Sequence, residues 1–307
     1  MPNLRIILLF LDGVGIGKKD SNTNPFFVAN LPGIRSLLGG EIPHQRQKLL
    51  SGKFAQCVPV NATLGVPGLP QSGTGQTAIF TGVNAPKHFG RHFGPYPPSG
   101  LRPIIEMKNI FRQLMDQKKT VAFTNAFPQR FFEYTKSGTR RLTVTTLSCI
   151  MAGVPLRTAD LLRKNEAVSA ELTRERWPEL GYEDMKPISE EEAGHHLWSI
   201  AEQHDFTLFE YWLTDHAGHS QKMDVAVQTL ERFDRFLQGI LHSFDFEQSL
   251  LVMISDHGNL EDLSTKSHTR NQVPGIAVGK SHRQFLSRIR NLTHIAPAIN
   301  SFLTGHE

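Results

Sequence analysis

The chain has 307 residues, and its composition of 39% hydrophobic and 20% charged residues is typical of a folded globular protein, not a disordered one. No apolar run approaches the roughly 20 residues that cross a bilayer, and no secretory cleavage pattern follows the apolar start, so no membrane partner is expected. The net charge is +4, but the basic residues are scattered, which disfavours nucleic acid and favours a small anionic substrate.

The chain contains only two cysteines, Cys57 and Cys149, and they form no C-x-x-C pair. Neither a disulfide framework nor a cysteine zinc site is therefore indicated. This cysteine usage predicts a reducing, cytoplasmic location.

Short apolar runs mark the candidate strands of the chain. Five such runs are found, at residues 5–11, 120–127, 206–213, 249–255 and 275–278. Runs this short and continuous are typical of buried parallel strands. Three of them end at or close to an aspartate, namely Asp12, Asp215 and Asp256.

Helical patterns lie between these strands, most clearly at residues 191–203 and 223–244. Alternating strands and helices predict an α/β fold with a doubly wound, mostly parallel sheet and helices on both faces. Ligands of such sheets bind outside the carboxyl ends of the strands. The three aspartates are therefore expected to meet at one edge of the sheet.

The segment 128–188 carries no long strand signal and is rich in Arg, Lys and Glu. It is interpreted as a small insert or cap over the sheet edge. Residues 1–127 and 189–307 would then form the catalytic core.

Candidate metal ligands cluster in the second half of the chain. Asp215 and His219 are four residues apart, so one helical turn can present both to a single ion. Asp256 and His257 follow a strand, and His268 follows a loop. Each motif alone also fits an ordinary polar turn. Together with Asp12 they offer oxygen and nitrogen ligands without sulfur, which suits two divalent ions such as zinc or manganese.

A hydroxyl-rich segment at residues 70–82 is predicted to be a loop that enters a short helix. A hydroxyl at a helix N-terminus beside a metal can become a nucleophile, although Ser72 or Thr74 can equally be a helix N-cap. Basic side chains shortly after this helix are candidate substrate anchors or parts of a solvated loop: Lys87, His88, Arg91 and His92.

The order of these motifs resembles the alkaline phosphatase superfamily. It comprises Asp-Gly after the first strand, a hydroxyl in a Gly-rich turn, D-x-x-G-H, D-H-G-N, and His-Thr before Val-Pro. The motifs are most similar to those of cofactor-independent phosphoglycerate mutase and phosphopentomutase, while residues 81–90 are similar to nucleotide pyrophosphatases and phosphonoacetate hydrolases.

The resemblance implies a division of metal ligands and a serine nucleophile. One ion would be held by Asp215, His219 and His268. The other would be held by Asp12, Asp256, His257 and the oxygen of Ser72, the residue aligned with the family's nucleophile. The chain departs from the mutase turn at Gly73 and Gln76.

The resemblance implies two-metal phosphoryl transfer through a serine. Only about sixty residues are left for a cap, too few for a full typical domain, so a phosphohydrolase acting on a small phosphoester is favoured. A phosphomutase is the alternative, and a non-catalytic metal-binding homologue is a second one.

Overall fold

The computed structural model describes residues 4–137 and 141–305. Within them, nine strands are found: β1 (Arg5–Leu11), β2 (Leu50–Ser51), β3 (Ala55–Val60), β4 (Val121–Phe123), β5 (Ala126–Phe127), β6 (Arg157–Thr158), β7 (Phe206–Tyr211), β8 (Ser249–Ser255) and β9 (Val273–Gly279). Seven of them form one sheet in the order β2-β3-β9-β8-β1-β7-β4, and β5 pairs with β6 separately.

The α-helices of the described residues are α1 (Pro32–Leu37), α2 (Ser72–Thr81), α3 (Ala85–Phe89), α4 (Arg102–Lys108), α5 (Ile110–Asp116), α6 (Gln129–Lys136), α7 (Val144–Ala152), α8 (Ala159–Arg163), α9 (Glu190–Ala201), α10 (Leu213–Ser220), α11 (Met223–His242), α12 (His282–Ser287) and α13 (Ile295–Thr304). None of the helices in the described part of the chain has the length and apolar character needed to cross a membrane.

The centre of the sheet is parallel and carries the predicted strand ends. β1 pairs in parallel with β7 and β8, and β4 pairs in parallel with β7. The register sets Leu11 opposite both Tyr211 and Ser255, so three strands end at one level. The predicted strands at 5–11 and 249–255 have the bounds found in the structure.

Successive residues of β1 point into two different hydrophobic clusters, one on each face of the sheet. Phe10 packs with residues of α2, α4, α5, α7 and α13, whereas Leu9 packs with residues of α1, α9 and α11. Alternation of side chains across a strand is what allows one central strand to serve both layers. The predicted doubly wound α/β fold with helices on both faces is therefore confirmed.

Two of the predicted strands differ from the structure. The run at 120–127 is split into β4 and β5, because Asn125 uses its side chain to bond the backbone of Glu210. The run at 275–278 is part of β9, which is antiparallel to both β3 and β8. No helix lies between β8 and β9, and a parallel pairing would have required a long crossover connection.

The segment 128–188 is divided between two packing environments. Its helix α7 places Val144 and Leu147 in the hydrophobic cluster that contains Phe10. A separate small cluster is built around Leu162, Trp177 and Met185. The division into core and insert stays a prediction, and residues 1–3, 138–140 and 306–307 of those units lie outside the described residues.

Candidate metal and phosphoryl-transfer site

The ends of three neighbouring strands bring the predicted carboxylates together. Asp12 directly follows β1, and Asp256 directly follows β8. Two residues after β7 the chain turns into α10, whose first turn holds Asp215. The aspartates are separated by about 200 and 40 residues in sequence, yet they share one sheet edge as the strand pattern predicts.

The first candidate ligand set contains Asp215, His219 and His268. Nε2 of His219 lies 3.2 Å from Oδ2 of Asp215, and Nε2 of His268 lies 3.8 Å from its Oδ1. The helical spacing of four residues places Asp215 and His219 on the same side of α10. The sequence-predicted members of this set are therefore within reach of one ion.

The hydrogen bonds of the two imidazoles fix which nitrogen faces the site. Nδ1 of His219 donates to the carbonyl of Lys266, at 2.9 Å, and Nδ1 of His268 donates to that of Pro70, at 2.8 Å. Carbonyl oxygens only accept, so each ring carries a proton on Nδ1. The two Nε2 atoms then face each other at 3.2 Å. A bond from Nδ1–H to a backbone carbonyl is the usual second-shell orientation of metal-binding histidines, because it leaves Nε2 for the ion.

The second set surrounds Ser72 and is buried. Oγ of Ser72 lies 3.0 Å from Nε2 of His257. The same nitrogen lies 3.3 Å from Oδ1 of Asp12 and 3.6 Å from Oδ2 of Asp256. Oδ1 of Asp12 accepts no well-directed hydrogen bond from any described residue although it is buried. Asp215 also comes within reach of Asp12 and His257, so it lies between the two sets.

The charges of this buried cluster strongly perturb one another. Burial raises the pKa of Asp12 well above its usual range, and the nearby charge of Asp256 raises it further. Burial would lower the pKa of His257, but the carboxylates of Asp256 and Asp12 outweigh it and raise that pKa to about 10. The closely spaced carboxylates share a single imidazolium, so their negative charge is not fully neutralised. Divalent cations would supply it, so the residues present fit two metal ions.

Gln76 occupies a position that the sequence marked only as a departure from the mutase turn. Its Nε2 donates to Oδ2 of Asp12 at 3.2 Å and to Oδ2 of Asp256 at 3.3 Å. An amide donor can hold these two carboxylates in place without adding charge to the site. Gln76 is therefore a positioning residue. The one sequence signal for this role was its departure from the mutase turn.

Glu261 is a second positioning residue, and sequence reasoning missed it. Its buried carboxylate accepts hydrogen bonds from the backbone of Gly15 and Asn259 and from the side chains of Thr269 and Asn271. These donors belong to the loop after β1 and to both arms of the loop between β8 and β9, which also carries His268. One carboxylate thus ties the two ligand-bearing loops together.

We expect Glu261→Ala to weaken metal binding by about 10- to 100-fold, the usual effect of removing an outer-shell partner. Four donors would lose their acceptor, so the melting temperature should also fall. Metal titration followed by calorimetry checks both effects, with exposed Glu133→Ala as the control. Unchanged metal affinity in Glu261→Ala would contradict the positioning role.

The four candidate substrate anchors do not line the cavity at the ligand sets. Lys87 and His88 are exposed on α3, and Arg91 lies over the rings of Phe89 and Phe93. Their role stays a prediction, as does that of His92, whose Nε2 lies 3.3 Å from the carbonyl of Val66. The cavity itself, of about 340 Å³, is lined by Ser72, Asp215, His219 and His268, among others.

Comparison with known proteins shows which families and folds the chain resembles. Residues 180–305 match the family model of the metalloenzyme superfamily. A 2,3-bisphosphoglycerate-independent phosphoglycerate mutase from Antithamnion sp. is 28% identical over 108 residues, which cover 33% of this chain and 21% of the mutase. Such matches span only about a fifth to a quarter of the length of the curated relatives.

Two solved structures share the fold over essentially the whole chain. The PH0037 protein from Pyrococcus horikoshii has a TM-score of 0.61 at 14% identity and covers 100% of this chain and 98% of its own. Alkaline phosphatase from the Antarctic bacterium TAB5 has a TM-score of 0.55 at 13% identity and covers 100% of both chains. The resemblance proposed from sequence is confirmed: the chain has an alkaline phosphatase-like fold and resembles the metalloenzyme superfamily, whose model its residues 180–305 match.

Proposed function

We propose that this chain is a two-metal phosphoryl-transfer enzyme that uses Ser72 as nucleophile and hydrolyses a small anionic phosphoester. The observation that carries the proposal is the position of the Ser72 hydroxyl. It lies in the first turn of α2 and 3.0 Å from His257, within the carboxylate and imidazole cluster. A helix N-terminus favours negative charge on a group placed there.

The proposed division of the ligands is the one that the family resemblance implies. Asp215, His219 and His268 would hold one ion. The other would be held by a second set that includes the nucleophile: Asp12, Ser72, Asp256 and His257. Oxygen and imidazole ligands without sulfur suit zinc or manganese. Bound ions would lower the pKa of the Ser72 hydroxyl and neutralise charge on the phosphoryl group.

The proposed reaction consists of two successive displacements at phosphorus. Oγ of Ser72 loses its proton and forms the bond to phosphorus, and the ester oxygen leaves as an alcohol after taking up a proton. Water then attacks the phosphoserine, inorganic phosphate leaves, and Ser72 regains its proton. Gln76 and Glu261 would keep the carboxylates and loops of the site in place throughout.

The accessibility of the site supports water as the final acceptor. The side chain of His219 is 44% exposed, so solvent reaches this member of the first ligand set. Helix α7 packs in the hydrophobic cluster that contains Phe10, which leaves even less of segment 128–188 to close over Ser72 than the sequence suggested. A phosphomutase must shield its phosphoserine from water until the acceptor hydroxyl returns.

Phosphomutase activity is the second candidate, because the curated relatives matched over 108 and 133 residues are phosphoglycerate mutases. A non-catalytic metal-binding role is the third, and turnover of any ester would exclude it.

The test is a screen of phosphomonoesters, phosphodiesters and sugar phosphates with the zinc- or manganese-loaded protein. We expect inorganic phosphate to appear in a one-to-one ratio with the released alcohol. Isomerised sugar phosphate without free phosphate would favour the mutase instead. Absence of turnover despite bound metal would favour the non-catalytic role.

A further inference from the structure

A second and larger cavity adjoins the one at Ser72. It has a volume of about 580 Å³, within the range of small-molecule sites. The two cavities share two walls. Pro95 lines the smaller cavity and Tyr96 the larger, while α10 contributes Asp215 to the smaller and Leu213 to the larger. Residues of the same two segments thus line both the site at Ser72 and the larger cavity.

Aromatic side chains form much of the wall of this larger cavity. Phe127 and Phe131 are stacked with their ring centroids 4.3 Å apart. Trp177 also lines the cavity. Trp212 and Tyr134 also line it and are 42% and 40% exposed. Exposed aromatic rings beside a cavity offer flat apolar surface on which a planar ring can stack.

The lining also contains a buried carboxyl group with spare hydrogen-bonding capacity. Glu210 lies within β7 and is 4% exposed. Its Oε2 accepts a hydrogen bond of 2.5 Å from Thr145, but its Oε1 has no hydrogen-bond partner among the described residues. Burial raises the pKa of Glu210 to about 7. A buried polar atom without a partner is costly, so its retention beside a cavity points to a ligand.

Cations surround the cavity and give it a positive character. Arg130 and Arg141 line it, are exposed, and form no ion pair with another described residue. Arg176 also lines it, and its one ion-pair partner among the described residues is the exposed Glu179, at 3.7 Å. The acidic Glu171 of the lining is already engaged by the hydroxyls of Ser169 and Thr173. Unengaged guanidinium groups suit a carboxylate or phosphate.

We propose that this cavity binds the leaving group of the phosphoester, and that this group is a flat aromatic ring bearing a second anionic substituent. The aromatic walls would stack on the ring, and the arginines would bind the anion. Where the ring carries a donor, as adenine does, the free oxygen of Glu210 would accept a hydrogen bond from it. The inference rests on the proposed function, since it names the substrate class of the same site.

Two kinds of compound share this chemistry, and the probes distinguish them. One is an aryl phosphate with a carboxylate, represented by 4-carboxyphenyl phosphate. The other is a nucleotide with a second phosphate, represented by adenosine 3′,5′-bisphosphate. If the nucleotide is the preferred substrate and this preference is lost in Glu210→Gln, the second source is identified. If the aryl ester is the preferred substrate, the first source is identified.

The decisive readout is a selectivity ratio, because aryl and alkyl phosphates differ in intrinsic reactivity. For each variant, kcat/KM for 4-carboxyphenyl phosphate is divided by kcat/KM for glycerol phosphate, and the quotient is compared with that of the wild type. We expect Arg141→Ala and Trp212→Ala each to lower the ratio by about tenfold. Arg46→Ala and Met107→Ala, which replace exposed residues elsewhere, should leave it unchanged.

Equilibrium binding separates failure of this inference from failure of the proposed function. Calorimetry with 4-hydroxybenzoate, the released alcohol, should show binding to the wild type that Arg141→Ala weakens. Turnover with an unchanged ratio in Arg141→Ala and Trp212→Ala would overturn the assignment of the cavity and leave the hydrolase intact. Binding without turnover of any ester would support the cavity and contradict the hydrolase. Neither binding nor turnover would contradict both.

Discussion

Ser72→Ala is expected to lower turnover by at least about a thousandfold, because removal of a covalent nucleophile leaves only binding and electrostatic contributions. The fold should survive the change. Ser72 is the first residue of α2, and its hydroxyl is not the N-cap of that helix, since Gln71 holds the cap position. The measurement is steady-state phosphate release, with the melting temperature recorded for the same preparations.

Thr74→Ala is the matched control for this variant. Thr74 Oγ1 donates to the carbonyl of Gln71 at 3.2 Å and accepts from the backbone of Phe93 at 3.2 Å. Its loss should cost about 1 kcal/mol of stability per hydrogen bond, with a modest effect on turnover. A Ser72→Ala enzyme that retains wild-type turnover, or a Thr74→Ala enzyme that is folded yet inactive, would contradict the assignment.

Removal of metal is expected to abolish turnover and to lower the melting temperature by about 10 °C. Ligands present at about a thousand times their Kd stabilise a fold by about 4 kcal/mol, and each kcal/mol shifts the melting temperature of a protein this size by a few degrees. The carboxylates of Asp12 and Asp256 lie beside the same imidazole and repel each other without cations. Calorimetry of chelated and reloaded protein gives both values.

His219→Ala should remove one of two metal equivalents and leave the buried set around Ser72 occupied. The fold should be retained, because the side chain of His219 is 44% exposed and its removal costs little packing. Metal content measured after dialysis distinguishes the two sets. An unchanged melting temperature after exhaustive chelation, with activity retained, would show that the metal site is wrong.

The central part of the fold could be predicted from sequence because buried parallel strands form short continuous apolar runs. β1 and β8 were predicted with their observed bounds, and the run at 206–213 exceeds β7 by only two residues. The direction of β9 was not evident, because a fully buried strand has the same composition in either direction. β2 and β3 were missed since β2 has two residues and β3 contains Pro59 in a half-buried pattern.

The convergence of the candidate ligands followed from the same reasoning, since parallel strands deliver their carboxyl ends to one edge. The residues that position the ligands could not be predicted in this way. Glu261 and Gln76 act through hydrogen bonds across loops, and no local pattern encodes such partners. Glu210 left one detectable signal, a charged residue within an otherwise apolar strand, which is rarely buried without a partner.

The most direct test of the account is to identify the residue that carries the phosphoryl group during turnover. Metal-loaded enzyme is quenched in acid at steady state with the best ester of the screen, digested, and analysed by mass spectrometry. We expect a phosphorylated Ser72. A phosphorylated Thr74 with Ser72 unmodified, or phosphorylation of a residue outside α2 instead, would contradict the proposed mechanism.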